Sequence, residues 1–151
     1  NDLIFVLIGD GELKDQIELL IHQKNLQNNF RLLGAVYDEN ILSSWFMLSK
    51  IFVVPTCIGL SLHHAMSYGL PVITDNSLDC QASESDIISD GLNGIFYDEG
   101  SSDSLAEKIE KLLSDESLRA KIAQNAKFTI TNKYNLNNKA NNFVKFLSIN
   151  K

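Results

Sequence analysis

Short runs of branched apolar residues alternate along the first hundred residues with segments whose apolar positions recur every three or four residues. The runs predict buried strands, and the segments between them predict helices. The predicted strands are Leu3–Ile8, Phe30–Leu33, Ile51–Val54, Pro71–Thr74 and Gly94–Tyr97. Continuous apolar strands are buried on both faces, as in parallel sheets that helices cover. The pattern therefore predicts an α/β domain with helices on both faces of a parallel sheet.

The helical spacing continues alone after Asp98, and the C-terminal third therefore predicts a layer of helices. Asp38, Asp103 and Asp115 are predicted N-caps, because a short acidic side chain can accept hydrogen bonds from the first free amides of a helix. The predicted helices contain Leu13 to Ile21, Ile41 to Leu48, Gly59 to Tyr68, Ser104 to Leu113, Ser117 to Tyr134 and Leu136 to Leu147.

Composition narrows the class of protein. The 151 residues, 44% of them hydrophobic, are sufficient for one compact domain. A net charge of −6 argues against nucleic acid as the main partner, since neutralising phosphates needs clustered Lys and Arg. The longest apolar run is too short to cross a bilayer and no signal-peptide pattern is present, so we expect a cytoplasmic protein. Free thiols are expected for Cys57 and Cys80, whose spacing fits no metal site.

Candidate chemistry lies in the turns that follow the predicted strands, where open α/β sheets bind their ligands. The segments are Gly9-Asp10-Gly11, Pro55 to Ser61 and Thr74 to Glu84. In the second, Gly59 begins a helix and leaves the amides of Leu60 and Ser61 exposed. Free amides and the helix dipole both favour an anion, so a phosphate is the expected ligand.

Five short motifs follow one another along the chain. They are Gly9-Asp10-Gly11-Glu12, Arg31-Leu32-Leu33-Gly34-Ala35-Val36, Gly59-Leu60-Ser61 with His64-Ala65-Met66, Gly69-Leu70-Pro71-Val72-Ile73, and Glu84 with Gly91-Leu92-Asn93-Gly94. In this order they resemble the C-terminal, donor-binding half of a GT-B-fold retaining glycosyltransferase of group 1, family 4-like. The resemblance covers nearly the whole chain. The fold it implies is a Rossmann-like sheet, half of a GT-B fold, with a C-terminal helical layer.

The resemblance implies a single nucleotide-sugar-binding domain over residues 1–151, with the family's first strand, its cationic turn and its N-terminal acceptor domain absent. The full-length enzyme would transfer a sugar from a nucleotide-sugar to a glycan or lipid-linked acceptor with retained anomeric configuration. A UDP-sugar is the expected donor. The isolated fragment would be inactive. The donor is a substrate, and no cofactor, metal or nucleic acid is expected. The implied location is the cytoplasm, with at most peripheral contact with the inner face of the membrane.

Carried over residue by residue, the resemblance assigns a role to each turn, although it identifies no catalytic residue. The donor diphosphate would lie on the amides of Gly59, Leu60 and Ser61, and the ribose against His64. The transferred sugar would lie near Thr56, Cys57 and Ile58, and the nucleobase near Gly34, Ala35 and Val36. Glu84 would be the carboxylate of a loop close to the donor.

Thr56 and His64 stand where the family has glutamates. A neutral imidazole accepts one hydrogen bond from a ribose, whereas a carboxylate accepts two at once. His63 lies about 100° around the helix from His64 and is expected to face a neighbouring element instead. These departures leave two alternatives open, a non-catalytic nucleotide-sugar-binding or interaction module and a GT-B-fold sugar epimerase. His64 as an ordinary part-buried histidine and Glu84 as an exposed loop acid also remain open.

Overall fold

The computed structural model describes residues 3–77 and 83–149. The chain divides into two compact units, Asn1–Trp45 and Phe46–Lys151. The strands pair in parallel throughout, as predicted, and they form two sheets, one in each unit. Cys80 lies outside the described residues.

The first unit is built on a two-stranded parallel sheet. Its strands pair with Phe5 opposite Phe30, and these two rings stack with centroids 5.0 Å apart. The elements in order are β1 (Phe5–Leu7), α1 (Lys14–Gln23), β2 (Phe30–Leu32) and the start of α2 (Glu39–Leu48). Asp38 Oδ1 accepts hydrogen bonds from the amides of Asn40 and Ile41, at 2.8 and 3.4 Å. The predicted cap of α2 is therefore confirmed.

The second unit contains a three-stranded parallel sheet in the order β3-β4-β5. The strands are β3 (Phe52–Val54), β4 (Val72–Asp75) and β5 (Ile95–Tyr97). Helix α3 (Ser61–Ser67) connects β3 to β4, and a 3₁₀ segment (Ser83–Ile87) precedes β5. Every residue of the central strand β4 is buried, at 0 to 2% exposure. This strand can be that deeply buried because helices cover the sheet.

The C-terminal helices form the predicted helical layer of the second unit. They are α4 (Ser102–Ser114), α5 (Glu116–Phe128), a π-helical turn (Thr129–Lys133) and α6 (Leu136–Ile149). Helix α4 packs on β4 and β5, and α5 packs on α3 and α4. The hydrophobic core between sheet and helices contains Ile73, Ile95, Tyr97, Leu112 and Ile122. None of the helices in the described ranges is long and apolar enough to cross a membrane.

Two details of these helices differ from the prediction. Ser101, not Asp103, caps α4, because the helix begins two residues earlier than predicted and the Ser101 hydroxyl accepts from the amide of Ser104 at 3.1 Å. The helix predicted through Tyr134 changes to π geometry at Thr129, whose hydroxyl donates back to the carbonyl of Asn125 at 2.8 Å. Such back-bonding by threonine bends helices. The predicted cap at Asp115 is confirmed by a 2.8 Å bond to the amide of Leu118.

We expect Leu112→Ala to lower the free energy of unfolding by about 2–5 kcal/mol, because it leaves a cavity in a fully buried part of the core. Urea denaturation followed by circular dichroism measures the change. The control is Leu136→Ala, the same truncation at a side chain that is 81% exposed, with an expected change below about 0.5 kcal/mol. Equal effects of the two substitutions would contradict this core assignment.

Candidate functional site

The carboxyl ends of β3, β4 and β5 meet at one edge of the second sheet, since the three strands are parallel. The turns that leave this edge begin at Pro55, Asn76 and Asp98. Ligands of open α/β sheets bind at this edge. The structure thus brings the predicted diphosphate, sugar and ribose positions of the second unit to the edge where chemistry is expected.

The turn between β3 and α3 presents free amides to solvent. Ile58 is fully buried and fixes the middle of the turn, whereas Leu60 is 73% exposed. The amides of Leu62 and His63 donate to the carbonyls of Gly59 and Leu60, each at 3.0 Å, so the helical turn begins at Gly59. Within the described residues, no hydrogen bond involves the amides of Gly59, Leu60 or Ser61. These amides can therefore bind an anion.

Thr56 and Cys57, the predicted sugar contacts, are both exposed. Cys57 has a φ of +52°, a left-handed conformation that costs a non-glycine residue roughly 1–2 kcal/mol. It is disulfide-bonded, so the free thiol expected for it is wrong: its sulfur is oxidised and has no hydrogen to donate. The Thr56 hydroxyl lies 3.5 Å from this sulfur. The Thr56 hydroxyl lies on an exposed part of the turn. Its binding of a sugar stays a prediction.

The two histidines of α3 lie in different surroundings. His64 is exposed, and its ring meets the ring of Phe46 edge-on with centroids 6.3 Å apart. Phe46 is itself buried against Phe52 and Tyr68. One side of the His64 imidazole therefore rests on a fixed aromatic surface while solvent reaches the rest. An exposed imidazole is accessible to a ribose, as the prediction requires.

His63 is half-buried and faces neighbouring elements, as expected from its angular position on α3. Burial lowers the pKa of His63, and the ammonium of Lys139 in α6 lowers it further. The carboxylate of Glu84 in the 3₁₀ segment acts in the opposite direction and raises the pKa. Glu84 is half-buried and lies close enough to α3 for its charge to be felt there. The predicted donor-loop carboxylate is therefore near α3, and its contact with a donor stays a prediction.

A buried asparagine that the sequence reasoning did not single out holds this 3₁₀ segment. Asn93, at 3% exposure, donates to the carbonyl of Ile87 at 2.9 Å and to the hydroxyl of Thr129 at 3.2 Å. Its side-chain oxygen accepts from the amide of Ser89 at 2.6 Å. The signal in the sequence was an asparagine between Gly91 and Gly94, where a turn needs a side chain to pair its backbone groups. Asn93 thereby ties the segment that contains Glu84 to the end of α5.

Ser77 is a second residue that sequence reasoning missed. It follows β4, is 4% exposed, and its hydroxyl has no hydrogen-bond partner among the described residues. The side chain of the neighbouring Asn76 has partners for both its oxygen and its nitrogen. The oxygen accepts from the amide of Glu99 at 3.0 Å, and the nitrogen donates to the carboxylate of Asp98 at 3.4 Å. Buried hydroxyls are normally paired, so Ser77 offers a partner to water or to a ligand at this edge.

The predicted nucleobase segment, Gly34 to Val36, follows β2 and belongs to the first unit. Gly34 has a φ of +68° and its carbonyl accepts from the amide of Gly9 at 2.9 Å. A glycine suits this turn because it adopts positive φ without strain. Ala35 is exposed and Val36 is half-buried. The proximity of this segment to a nucleobase stays a prediction.

Both arginines of the chain donate hydrogen bonds to backbone carbonyls. Arg31 donates to the carbonyls of Gln27, Asn28 and Phe30, and Arg119 donates to those of Leu112 and Leu113. Neither arginine is therefore free to bind an anion at this edge. In the described part of the chain, no cluster of three or more His, Cys, Asp or Glu side chains could hold a metal ion.

Comparison with known proteins agrees with this fold. The family described as "Glycosyl transferases group 1" matches residues 1–128. A 2-deoxystreptamine N-acetyl-D-glucosaminyltransferase of Niallia circulans is 27% identical over 137 residues, 89% of this chain and 34% of the relative. A poly(ribitol-phosphate) alpha-N-acetylglucosaminyltransferase of Staphylococcus aureus is 31% identical over 134 residues, 89% of this chain and 27% of the relative. The chain thus spans about a third or less of either enzyme.

A solved structure shows the same fold. The crystal structure of a mutant of the S. aureus protein TarM, in complex with fondaparinux, alpha-GlcNAc-glycerol and UDP, superposes with a TM-score of 0.81 at 26% identity. The match covers 94% of this chain and 28% of that one. The Rossmann-like α/β fold predicted from the sequence is therefore confirmed.

We expect the imidazole of His63 to titrate below its ordinary pKa of 6.5. Since folding disfavours its charged form, its contribution to stability is complete above that pH and is lost as the pH falls below it. Glu84→Gln should lower this pKa further, because it removes an opposite charge, and Lys139→Gln should raise it. NMR titration of the histidine ring signals measures both shifts. In the control Glu107→Gln, on the exposed side of α4, the His63 signal should not move.

We expect Asn93→Ala to lower the free energy of unfolding by about 1–3 kcal/mol, because it leaves the buried carbonyl of Ile87 and the amide of Ser89 without partners. Thermal and urea unfolding measure the loss. Asn132→Ala, at an exposed asparagine of the π-helical turn, is the matched control and should change stability little. A cost at position 93 no greater than the control's would show that the network does not hold the segment.

Proposed function

Because this chain belongs to the family of glycosyl transferases group 1, we propose that it is the nucleotide-sugar-binding part of a glycosyltransferase. The longer protein transfers a sugar from a UDP-sugar to a glycan or lipid-linked acceptor with retained anomeric configuration. The main support is the set of amides that are unpaired in the described residues at the edge where the strands of the second sheet end. The fold that places them there superposes on a relative whose structure contains UDP. N-acetylglucosamine is the sugar to test first, since the names of the two relatives reported above contain it.

The diphosphate of the donor binds at Gly59, Leu60 and Ser61 in this proposal. Their amides are unpaired within the described residues and lie at the start of a helical turn, so they can donate to phosphate oxygens. Hydrogen bonds to a charged group contribute about 1.5–3 kcal/mol each. As the bond to the sugar breaks, negative charge grows on the leaving diphosphate, and donors that already point at that position stabilise it.

His64 binds the ribose. Its imidazole is exposed and braced by Phe46, so one ring nitrogen can accept a hydrogen bond from a ribose hydroxyl without a change of rotamer. Thr56 offers its hydroxyl to the transferred sugar, and Glu84 its carboxylate from the adjoining 3₁₀ segment. The nucleobase is assigned to the Gly34–Val36 turn by the resemblance alone.

Both arginines are occupied by backbone carbonyls, and the net charge of the chain is −6. We propose that further cations and the acceptor site come from the rest of the longer protein, and that this chain alone transfers no sugar. The setting we propose is the cytoplasm, with the acceptor at the inner face of the membrane.

A second candidate function is a nucleotide-sugar-binding module without catalysis. The observation that favours it is the pair Thr56 and His64, which stand where the resemblance implies glutamates. Turnover by the full-length protein separates the two functions. Transfer of labelled N-acetylglucosamine to any glycan or lipid-linked acceptor supports the transferase, whereas UDP binding without turnover supports the module.

We expect the full-length protein to bind UDP in a calorimetric titration, and His64→Ala to weaken that binding by about tenfold, or 1.4 kcal/mol, through loss of the ribose contact. His63→Ala is the matched control, because the neighbouring imidazole faces Glu84 and Lys139 instead. Its UDP affinity should stay within about twofold of the wild type.

Two results would contradict this proposal. Absence of UDP binding by the folded full-length protein would exclude a UDP-sugar donor. Equal losses in His63→Ala and His64→Ala would mean that the substitutions disturb α3 as a whole, and that His64 has no specific contact with the ribose.

A further inference from the structure

The side chain of Tyr97 crosses the sheet at the edge where the donor is proposed to bind. It extends from the end of β5, and its hydroxyl donates to the carbonyl of Pro55, the first residue after β3. The central strand β4 lies between these two strands, which are therefore roughly 10 Å apart. The backbone of this sheet pairs β3 and β5 only with β4, so the Tyr97 hydroxyl links two strands that are not neighbours.

The hydroxyl is held in place by the core. Tyr97 is 5% exposed and its ring packs with Ile73, Ile95, Leu112 and Ile122. Burial raises the pKa of the phenol, and the negative charges of Asp75 and Glu99 raise it further. The phenol therefore stays protonated at neutral pH and remains a hydrogen-bond donor. A rigid ring and a protonated hydroxyl together give Pro55 a fixed partner.

The turn that receives this bond is strained and mostly exposed. Pro55, Thr56 and Cys57 are exposed, and Cys57 has a positive φ of 52°. Such a conformation persists only where the surrounding structure fixes it. Three contacts fix this turn: the Tyr97 hydroxyl at Pro55, the disulfide at Cys57 and the buried side chain of Ile58. Of these, the Tyr97 hydroxyl acts at the end nearer β3. The amides of Gly59, Leu60 and Ser61 follow directly.

We propose that Tyr97 is a positioning residue, whose hydroxyl holds the β3–α3 turn in the conformation that presents the amides of Gly59, Leu60 and Ser61. Tyr97 touches neither the donor nor the reacting atoms; it acts through the carbonyl of Pro55. Its effect on donor binding rests on the proposed function, whereas its effect on the turn does not. Tyr97→Phe removes the hydroxyl alone and leaves the ring in the core, so the fold is retained.

The experiment compares the full-length protein with its Tyr97→Phe variant. Hydrogen–deuterium exchange followed by mass spectrometry first measures the peptide that covers residues 55–62 without nucleotide. Because the amides of Gly59, Leu60 and Ser61 are unpaired in the described residues, the readout is the hydrogen-bonded amide of Leu62. We expect it to exchange several-fold faster in Tyr97→Phe, while peptides of α4 and α5 keep the wild-type rate. Tyr68→Phe is the matched control, because that tyrosine is 41% exposed and stacks on Phe46 away from the turn.

UDP affinity and steady-state kinetics are then measured on the same proteins. We expect Tyr97→Phe to weaken UDP binding and raise the donor KM by about fivefold, the size of one lost hydrogen bond, with the acceptor KM unchanged. A purely structural role would leave the donor KM unchanged or move both KM values together. Unchanged exchange at residues 55–62, or faster exchange with wild-type UDP affinity, would overturn the proposal.

Failure of the proposed function gives a different result. If the wild-type protein binds no UDP, the donor assignment fails for every variant. The exchange rates of residues 55–62 still decide whether Tyr97 holds the turn, since they are measured without nucleotide.

Discussion

The complete burial of β4 is the constraint on which the second unit depends. Val72, Ile73, Thr74 and Asp75 exclude solvent on both faces, so β3 and β5 must flank this strand and helices must cover it. Side chains along the strands are thereby used for packing. Binding groups can lie only where the strands end, and the parallel direction places all three carboxyl ends at one edge.

That edge is held together by side chains that do not themselves bind a ligand. Asn76 joins the end of β4 to the backbone after β5, Asn93 joins the 3₁₀ segment to α5, and Tyr97 joins β5 to the turn after β3. Each uses a polar side chain to fix a backbone position, and the side chains of Asn93 and Tyr97 are buried. The amides at the start of α3 are left unpaired among the described residues. Rigid surroundings around unpaired donors are what a site for a developing anion needs, since no reorganisation is then required.

The sequence predicted the features that depend on local pattern. Apolar runs located the five strands that the described residues form, and the Gly59 turn follows β3 as predicted. Both features depend on residues that are consecutive in the sequence. Features that depend on distant partners were missed. The Tyr97–Pro55 bond joins residues 42 positions apart, and Asn93 meets Thr129 at a separation of 36. The division into two sheets likewise depends on which strands pair, and the hydrophobic pattern of the sequence does not determine that.

Thr56 and His64, which stand where the resemblance implies glutamates, affect the electrostatics of this edge. A diphosphate is anionic, and a carboxylate 4 Å from it would repel it by about 1 kcal/mol in water and about 4 kcal/mol at an effective dielectric constant of 20. Thr56 and His64 give up acceptor capacity toward the sugar and the ribose that we propose to bind there, but neither carries a negative charge that would repel the diphosphate. With Arg31 and Arg119 both bound to carbonyls, this chain has no guanidinium to offset such charge. Side chains without negative charge beside backbone amides are therefore compatible with the nucleotide-sugar site that we propose.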